Sequence, residues 1–427
     1  MDMELKPQNW LLVAHAFNMN GVASSQTVTD KLPFLDAAGV RLVALTAPTG
    51  RRDPAHEHHQ VFSPLPSGLR YEWRHWLRQR TTTHGKLYSR IALALLLPFY
   101  LLEKLLLPFG SHWSWWISAY LRGRKLIEQQ RPALIYSSGG ANSAHYAAYR
   151  LASHYGLPWL AEIHDPMIHG GWKKGPFQYR WAAHVEKLIC RRADAAIWFT
   201  AGALARARAR HPELGVRGHV IAPGANPPAR NKLPYVRGQK FVLTHFGTLA
   251  DNRNLASTLD AIALVLTAQP QWRTQVVLRT YGSGWDAVSR AALARFAYPE
   301  CVEDLGRVER DRALQLMDTT DALLLLHGED GFCEEYIPSK LYEYFWSQRP
   351  ILGLVYRNPD LDTLLRAQGH EPAPALDPPA IAAALTRLMQ RWLADELQDN
   401  GRVSPYSTQR AVTQMLELAQ AAIQARA

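Results

Sequence analysis

The sequence holds little cysteine: three residues in 427, at Cys190, Cys301 and Cys333. Set that far apart, they form no CxxC pair and no disulfide framework, which points to a reducing compartment. No GxSxG, HExxH or P-loop string occurs, and the hydrolases, zinc proteases and nucleotidases marked by those strings are removed. Acidic residues are in the minority, 37 against 48 Lys and Arg, for a formal charge of +11. That excess suits an anionic ligand, a nucleic acid or an acidic membrane surface without choosing among them. No basic stripe with interleaved aromatics appears, so no nucleic-acid partner is expected. The opening residues, MDMELKPQNW, lack the basic and apolar regions of a signal peptide, and a cytoplasmic location is expected.

What is present is ordinary globular material. Apolar residues make up 47% and charged residues 20%, and the length fits two domains, each with its own core. One apolar run stands out at residues 91–109, IALALLLPFYLLEKLLLPF, with Trp113, Trp115 and Trp116 after it. A membrane span takes about 20 apolar residues. Glu103 and Lys104 lie well inside this run, and Pro98 and Pro108 break its helix ladder. Three readings stay open: docking in the plane of a membrane, here its inner face, a buried helical hairpin, or a span.

Short apolar runs alternate with helical patterns along the whole chain. Strands are expected near residues 10–14, 40–45, 133–137, 158–163 and 195–199. After a Pro- and Gly-rich stretch the alternation restarts, with strands near 241–246, 275–280, 301–305, 321–326 and 350–355. The pattern predicts an N-terminal domain at 1–225, a linker at 226–240, a second domain at 241–403 and a helix at 404–427. Strands of this kind build doubly wound parallel sheets. A ligand is then expected beyond the carboxyl ends of the strands, in a central cleft faced by both sheets. His56, His58 and His59 read as a solvated loop, because no carboxylate spacing completes a metal site around them. Neither a metal nor a cofactor is expected.

The chemistry concentrates at Glu335 and Glu343, with seven residues between them, Pro338-Ser339-Lys340 among those. Pro338 fits a first helical position. The N–H groups of Ser339, Lys340 and Leu341 would then point out of a helix start, a ready site for a diphosphate. Spacing alone leaves open a plain surface helix with charged faces.

The string from Glu335 to Glu343, followed by Arg349-Pro350-Ile351, resembles the donor-binding signature of glycosyltransferase family 4. Those are retaining enzymes of the GT-B fold, with two Rossmann-like domains. Three further stretches are similar to that family in order: Phe246-Gly247-Thr248-Leu249 with Arg253 and Asn254, then Tyr281-Gly282-Ser283-Gly284, then Asp304-Leu305-Gly306-Arg307-Val308. The resemblance covers residues 241–356 well and the N-terminal half less tightly, through Asn20-Gly21-Val22-Ala23 and His164-Asp165-Pro166.

It implies transfer of a sugar from a nucleotide-sugar donor to a glycan or lipid-linked acceptor, in cell-surface polysaccharide or glycolipid synthesis. Donor contacts would fall to Gly21, Gly247, Thr248, Arg253, Tyr281, Gly282, Val308, Ile337, Pro338, Ser339, Lys340, Leu341 and Glu343. Glu343 would hold the ribose, while Glu335, with His164 or Asp165, would serve the transferred sugar or the acceptor. The family usually carries a basic pair where only Arg253 stands here, and Lys340 is expected to substitute in part. Two rival functions share the fold: a nucleotide-sugar epimerase or phosphorylase, and a membrane-docked nucleotide-sugar-binding protein without catalysis.

Overall fold

The computed structural model describes residues 8–19, 22–78, 93–110, 112–170, 172, 175–228, 232–399, 401–402 and 404–426. The chain divides into two compact units, Met1–Pro223 with Thr408–Ala427, and Gly224–Ser407.

The first unit is built on seven strands: β1 (Gln8–Ala14), β2 (Val40–Thr46), β3 (Glu57–Gln60), β4 (Leu134–Gly139), β5 (Trp159–Ile163), β6 (Ala195–Trp198) and β7 (Gly218–Val220). They pair in parallel in the order β3-β2-β1-β4-β5-β6-β7. Side chains of a strand alternate between its faces, and β1 buries both. Leu11 and Val13 join one core with the helices Trp115–Gln130, Asn142–Tyr155 and Pro176–Arg192. Trp10, Leu12 and Ala14 join the core on the other face.

That second core is completed from the far end of the chain. Ala411, Val412, Met415, Leu416, Ala419 and Ala422 of the helix Thr408–Gln424 are buried in it, and Arg426 pairs with Asp194 at 2.9 Å. The C-terminal helix therefore belongs to the first unit.

Strand β3 corrects the reading of the histidine-rich stretch as a solvated loop. His58 is 3% exposed. One ring nitrogen lies 2.7 Å from the Thr46 hydroxyl, and the other accepts from the Asp53 amide. Burial pushes its pKa down to about 4. A strand this short and polar at a sheet edge carries no periodic signal.

The second unit holds β8 (Phe241–Phe246), β9 (Val276–Tyr281), β10 (Val302–Asp304), β11 (Ala322–Leu326), β12 (Ile351–Val355) and β13 (Glu371–Pro374). These too are parallel, ordered β10-β9-β8-β11-β12-β13. Residues 232–240, expected within a linker, are strapped to this unit. The Tyr235 hydroxyl meets Asp321 at 2.5 Å, Lys232 meets Asp399 at 2.6 Å, and the buried Arg349 guanidinium lies 3.4 Å over the Tyr235 ring.

The apolar run is no buried hairpin. Residues 91 and 92 lie outside the described part, and the helix Leu97–Leu106 leaves Leu101 57%, Leu105 79% and Leu106 65% exposed. No helix among the described residues is long and apolar enough to cross a membrane.

Candidate functional site

In the second unit the strand order turns back between β8 and β11, and an open parallel sheet binds its ligand beyond the strand ends at such a point. The residues there are packed glycine against glycine. The Gly247 amide donates to Tyr281 O at 2.7 Å, and the Gly282 amide donates to Gly306 O at 3.0 Å. A Cβ on Gly282 would stand 2.3 Å from Gly247 O, so only glycine lets the two loops close. Phe246 and Tyr281 stack beside them at 5.1 Å between ring centroids. Val308 follows these turns on an irregular segment, half-buried.

Over this floor lies Lys340. Its ammonium donates to Phe246 O at 2.6 Å. Gly247 has φ of +119°, and a Cβ there would fall 2.5 Å from Lys340 Nζ. Arg253 reaches back to Thr248 O at 3.2 Å. Burial first, and then the charge of Arg253, lowers the Lys340 pKa to about 7, with Glu343 opposing. Two histidines stand under the cations. His245 ends one ring at Leu324 O, 3.1 Å away, and burial with the Lys340 charge holds its pKa well below the usual value. His327, bonded to the Tyr356 amide at 3.2 Å, is lowered to about 4, mainly by burial. Both are neutral near pH 7, so the positive charge here is that of Lys340 and Arg253.

The helix behind the cradle departs from expectation. It runs Lys340–Ser347, with Ser339 as its N-cap and Pro338 before it. The Leu341 amide donates to Pro338 O at 2.9 Å, and Tyr342 to Ser339 O at 3.2 Å. This tight i to i+3 first turn takes Leu341 out of the expected set of free amides. Those of Ser339 and Lys340 meet no backbone acceptor among the described residues. Ile337 is half-buried and Pro338 buried.

Glu343, one turn on, is met by Arg310 at 2.9 and 3.0 Å on a single oxygen. Arg310 opens the helix Arg310–Thr319 just beyond Val308, a partner that sequence spacing did not suggest. Glu335 ends the short turn Cys333–Glu335 and is 2% exposed. The Asn358 amide bonds Cys333 O at 2.8 Å and Tyr336 O at 3.0 Å, fixing the turn.

His164 and Asp165 lie in the first unit, just past β5. His164 Nε2 is 2.9 Å from the Ser138 hydroxyl and 3.4 Å from Glu162, and its ring stacks on Phe199 at 4.7 Å. Glu162 is buried between Lys31, the Tyr136 hydroxyl and Ser138. His164 Nδ1 is buried without a hydrogen-bond partner among the described residues. Asp165 is exposed beside Gly140. Gly21 lies outside the described residues. The Lys31–Glu162–Ser138 support was missed in sequence, although a glutamate among the apolar residues of a predicted strand is the kind of signal that marks it.

The string Asp360-Leu361-Asp362 has the spacing of a metal-binding carboxylate pair. It opens the helix Pro359–Ala367, where Asp362 pairs with Arg366 at 2.8 Å and Leu361 is buried. No group of three His, Cys, Asp or Glu among the described residues is placed to hold a metal ion.

No protein-family model matches the chain, and no curated protein sequence does. Solved structures match over nearly its whole length. Two parallel-sheet units in tandem with these neighbours define the GT-B fold. The sucrose-phosphate synthase of Thermosynechococcus elongatus covers 98% of this chain and 100% of its own, with a TM-score of 0.65 at 13% identity. TarM matches with a TM-score of 0.64 at 9% identity, over 97% of this chain and 99% of its own. HepE of Anabaena, solved with UDP and glucose, matches with a TM-score of 0.60 at 13% identity, over 97% and 100%.

Proposed function

We propose that this protein is a retaining glycosyltransferase of the family 4 type, transferring a sugar from a nucleotide-sugar to a glycan or lipid-linked acceptor. The observation that carries the reading is the Lys340–Arg253 pair over the glycine turns at the switch point of the second sheet. Two neighbouring cations, one with its pKa lowered to about 7 by burial and then by the charge of the other, make a site completed by a compact dianion. The diphosphate of a nucleotide-sugar has that charge. The open Ser339 and Lys340 amides add donors on the same side.

The residues then divide the work. Lys340, Arg253 and the two amides neutralise charge on the departing diphosphate, which is the main demand of such a transfer. Glu343, steadied by Arg310, takes the ribose hydroxyls with its remaining oxygen. Glu335 faces positive charge developing on the sugar, and His164, held by Ser138 and Glu162, orients the sugar or the acceptor hydroxyl. A donor phosphate oxygen takes the acceptor's proton as the new bond forms on the face the leaving group quits.

The test is turnover of a nucleotide-sugar with an acceptor present. Release of nucleoside diphosphate together with a glycosylated product supports transfer. Isomerisation of the donor with no acceptor would point to an epimerase, and tight binding without turnover would point to a binding protein.

A further inference from the structure

The helix Leu97–Leu106 is turned with its charges inward. Glu103, 7% exposed, accepts from the Ser67 amide at 2.7 Å, the Ser67 hydroxyl at 2.5 Å and Trp113 Nε1 at 2.9 Å. Lys104 is turned back to Phe109 O and lies over the Tyr100 ring, where Arg70 also packs. The opposite side is apolar throughout. Leu95, Phe99, Leu101, Leu102, Leu105 and Leu106 are each between 52% and 79% exposed. The patch continues through Phe109, which meets Phe177 at 6.1 Å, itself 47% exposed. A contiguous outward face of leucines is not left bare on a protein without a partner.

Charge selects the partner. Residues 61–127 contain ten Lys and Arg but only two acids, Glu72 and Glu103, and both acids are buried. Among the described residues of this segment the charge that reaches the surface is therefore cationic, at Arg70, Arg74, Arg122 and Lys125. We infer that this face docks in the plane of an anionic lipid bilayer, with the leucines among the acyl chains and the basic residues at the headgroups. Its charged side chains are satisfied by the protein, so seating the helix in lipid strands neither Glu103 nor Lys104. The inference stands on the first unit's surface alone and is independent of the donor site.

The experiment is co-sedimentation of the full chain with vesicles of phosphatidylcholine, alone or with phosphatidylglycerol added. Binding to the mixed vesicles is expected, weakened by salt. The double variant Leu101→Gln, Leu105→Gln should partition about tenfold less or weaker still, with its melting temperature kept because both side chains are on the surface. Equal sedimentation of variant and wild type overturns the inference, as does equal binding to the two vesicle types. A concentration-dependent dimer that the variant abolishes, seen by light scattering without vesicle binding, would also overturn it and assign the face to a second copy.

Discussion

Lys340 is the residue on which the proposed donor site turns. A buried ammonium beside a guanidinium gives up its proton near pH 7 instead of above 10. A nucleotide-sugar diphosphate has fixed charges and no group titrating near neutrality, so a proton taken up on binding belongs to the protein. The unliganded pKa is depressed and the bound one is raised. Affinity is therefore full below about pH 7 and declines as pH rises above it. We expect weaker binding at about pH 8.5 than at about pH 6.5, together with proton uptake seen calorimetrically as a dependence on buffer ionisation enthalpy. Lys340→Met should lower affinity about tenfold or more and flatten the pH profile; a flat profile in the wild type would contradict the assignment. Gly247→Ala tests the same contact from below. With φ of +119° and the ammonium 2.5 Å from the new Cβ, it should cost about 1–3 kcal/mol of stability and displace Lys340, so urea unfolding and nucleotide-sugar affinity should fall together.

At the scale of elements, the site is an agreement among loop ends. Arg310 at one helix start clamps Glu343 on another, across 33 residues of sequence. Arg310 is exposed and Glu343 half-buried, so the worth of the pair lies in orientation more than in stability. Arg310→Ala is expected to raise the KM for the donor about three- to tenfold with little change in unfolding midpoint; an unchanged KM would mean that Glu343 is not held for the ribose.

Much of this layer could be read from the chain. Leu323-Leu324-Leu325-Leu326 and Leu11-Leu12-Val13 announce central parallel strands because both of their faces are buried. The edge strands β3, β7 and β13 could not be read, being three or four residues long and built of His, Gly or Pro. The glycine turns were visible as motifs, whereas Lys340 reaching Phe246 O spans 94 residues and leaves no local trace. The direction of Glu103 was equally hidden. A charge inside an apolar run looks like an interruption until Ser67 and Trp113 are seen to receive it.

For the whole molecule, the last helix closes the core of the first unit, so the two ends of the chain are coupled in stability. Met415→Asp places a charge in that core and should cost more than about 3 kcal/mol, read as a lower urea midpoint; an unchanged midpoint would show that the helix is not seated there. The second unit carries the proposed donor site, on which the proposed function rests. The most direct measurement is calorimetric titration of the full chain with a panel of UDP-, GDP-, ADP- and dTDP-sugars, run beside Lys340→Met and Glu343→Ala. Saturable binding of one nucleotide class, weakened about tenfold or more by each substitution, is the predicted result. No binding across the panel, or binding that both variants retain at full strength, would contradict it.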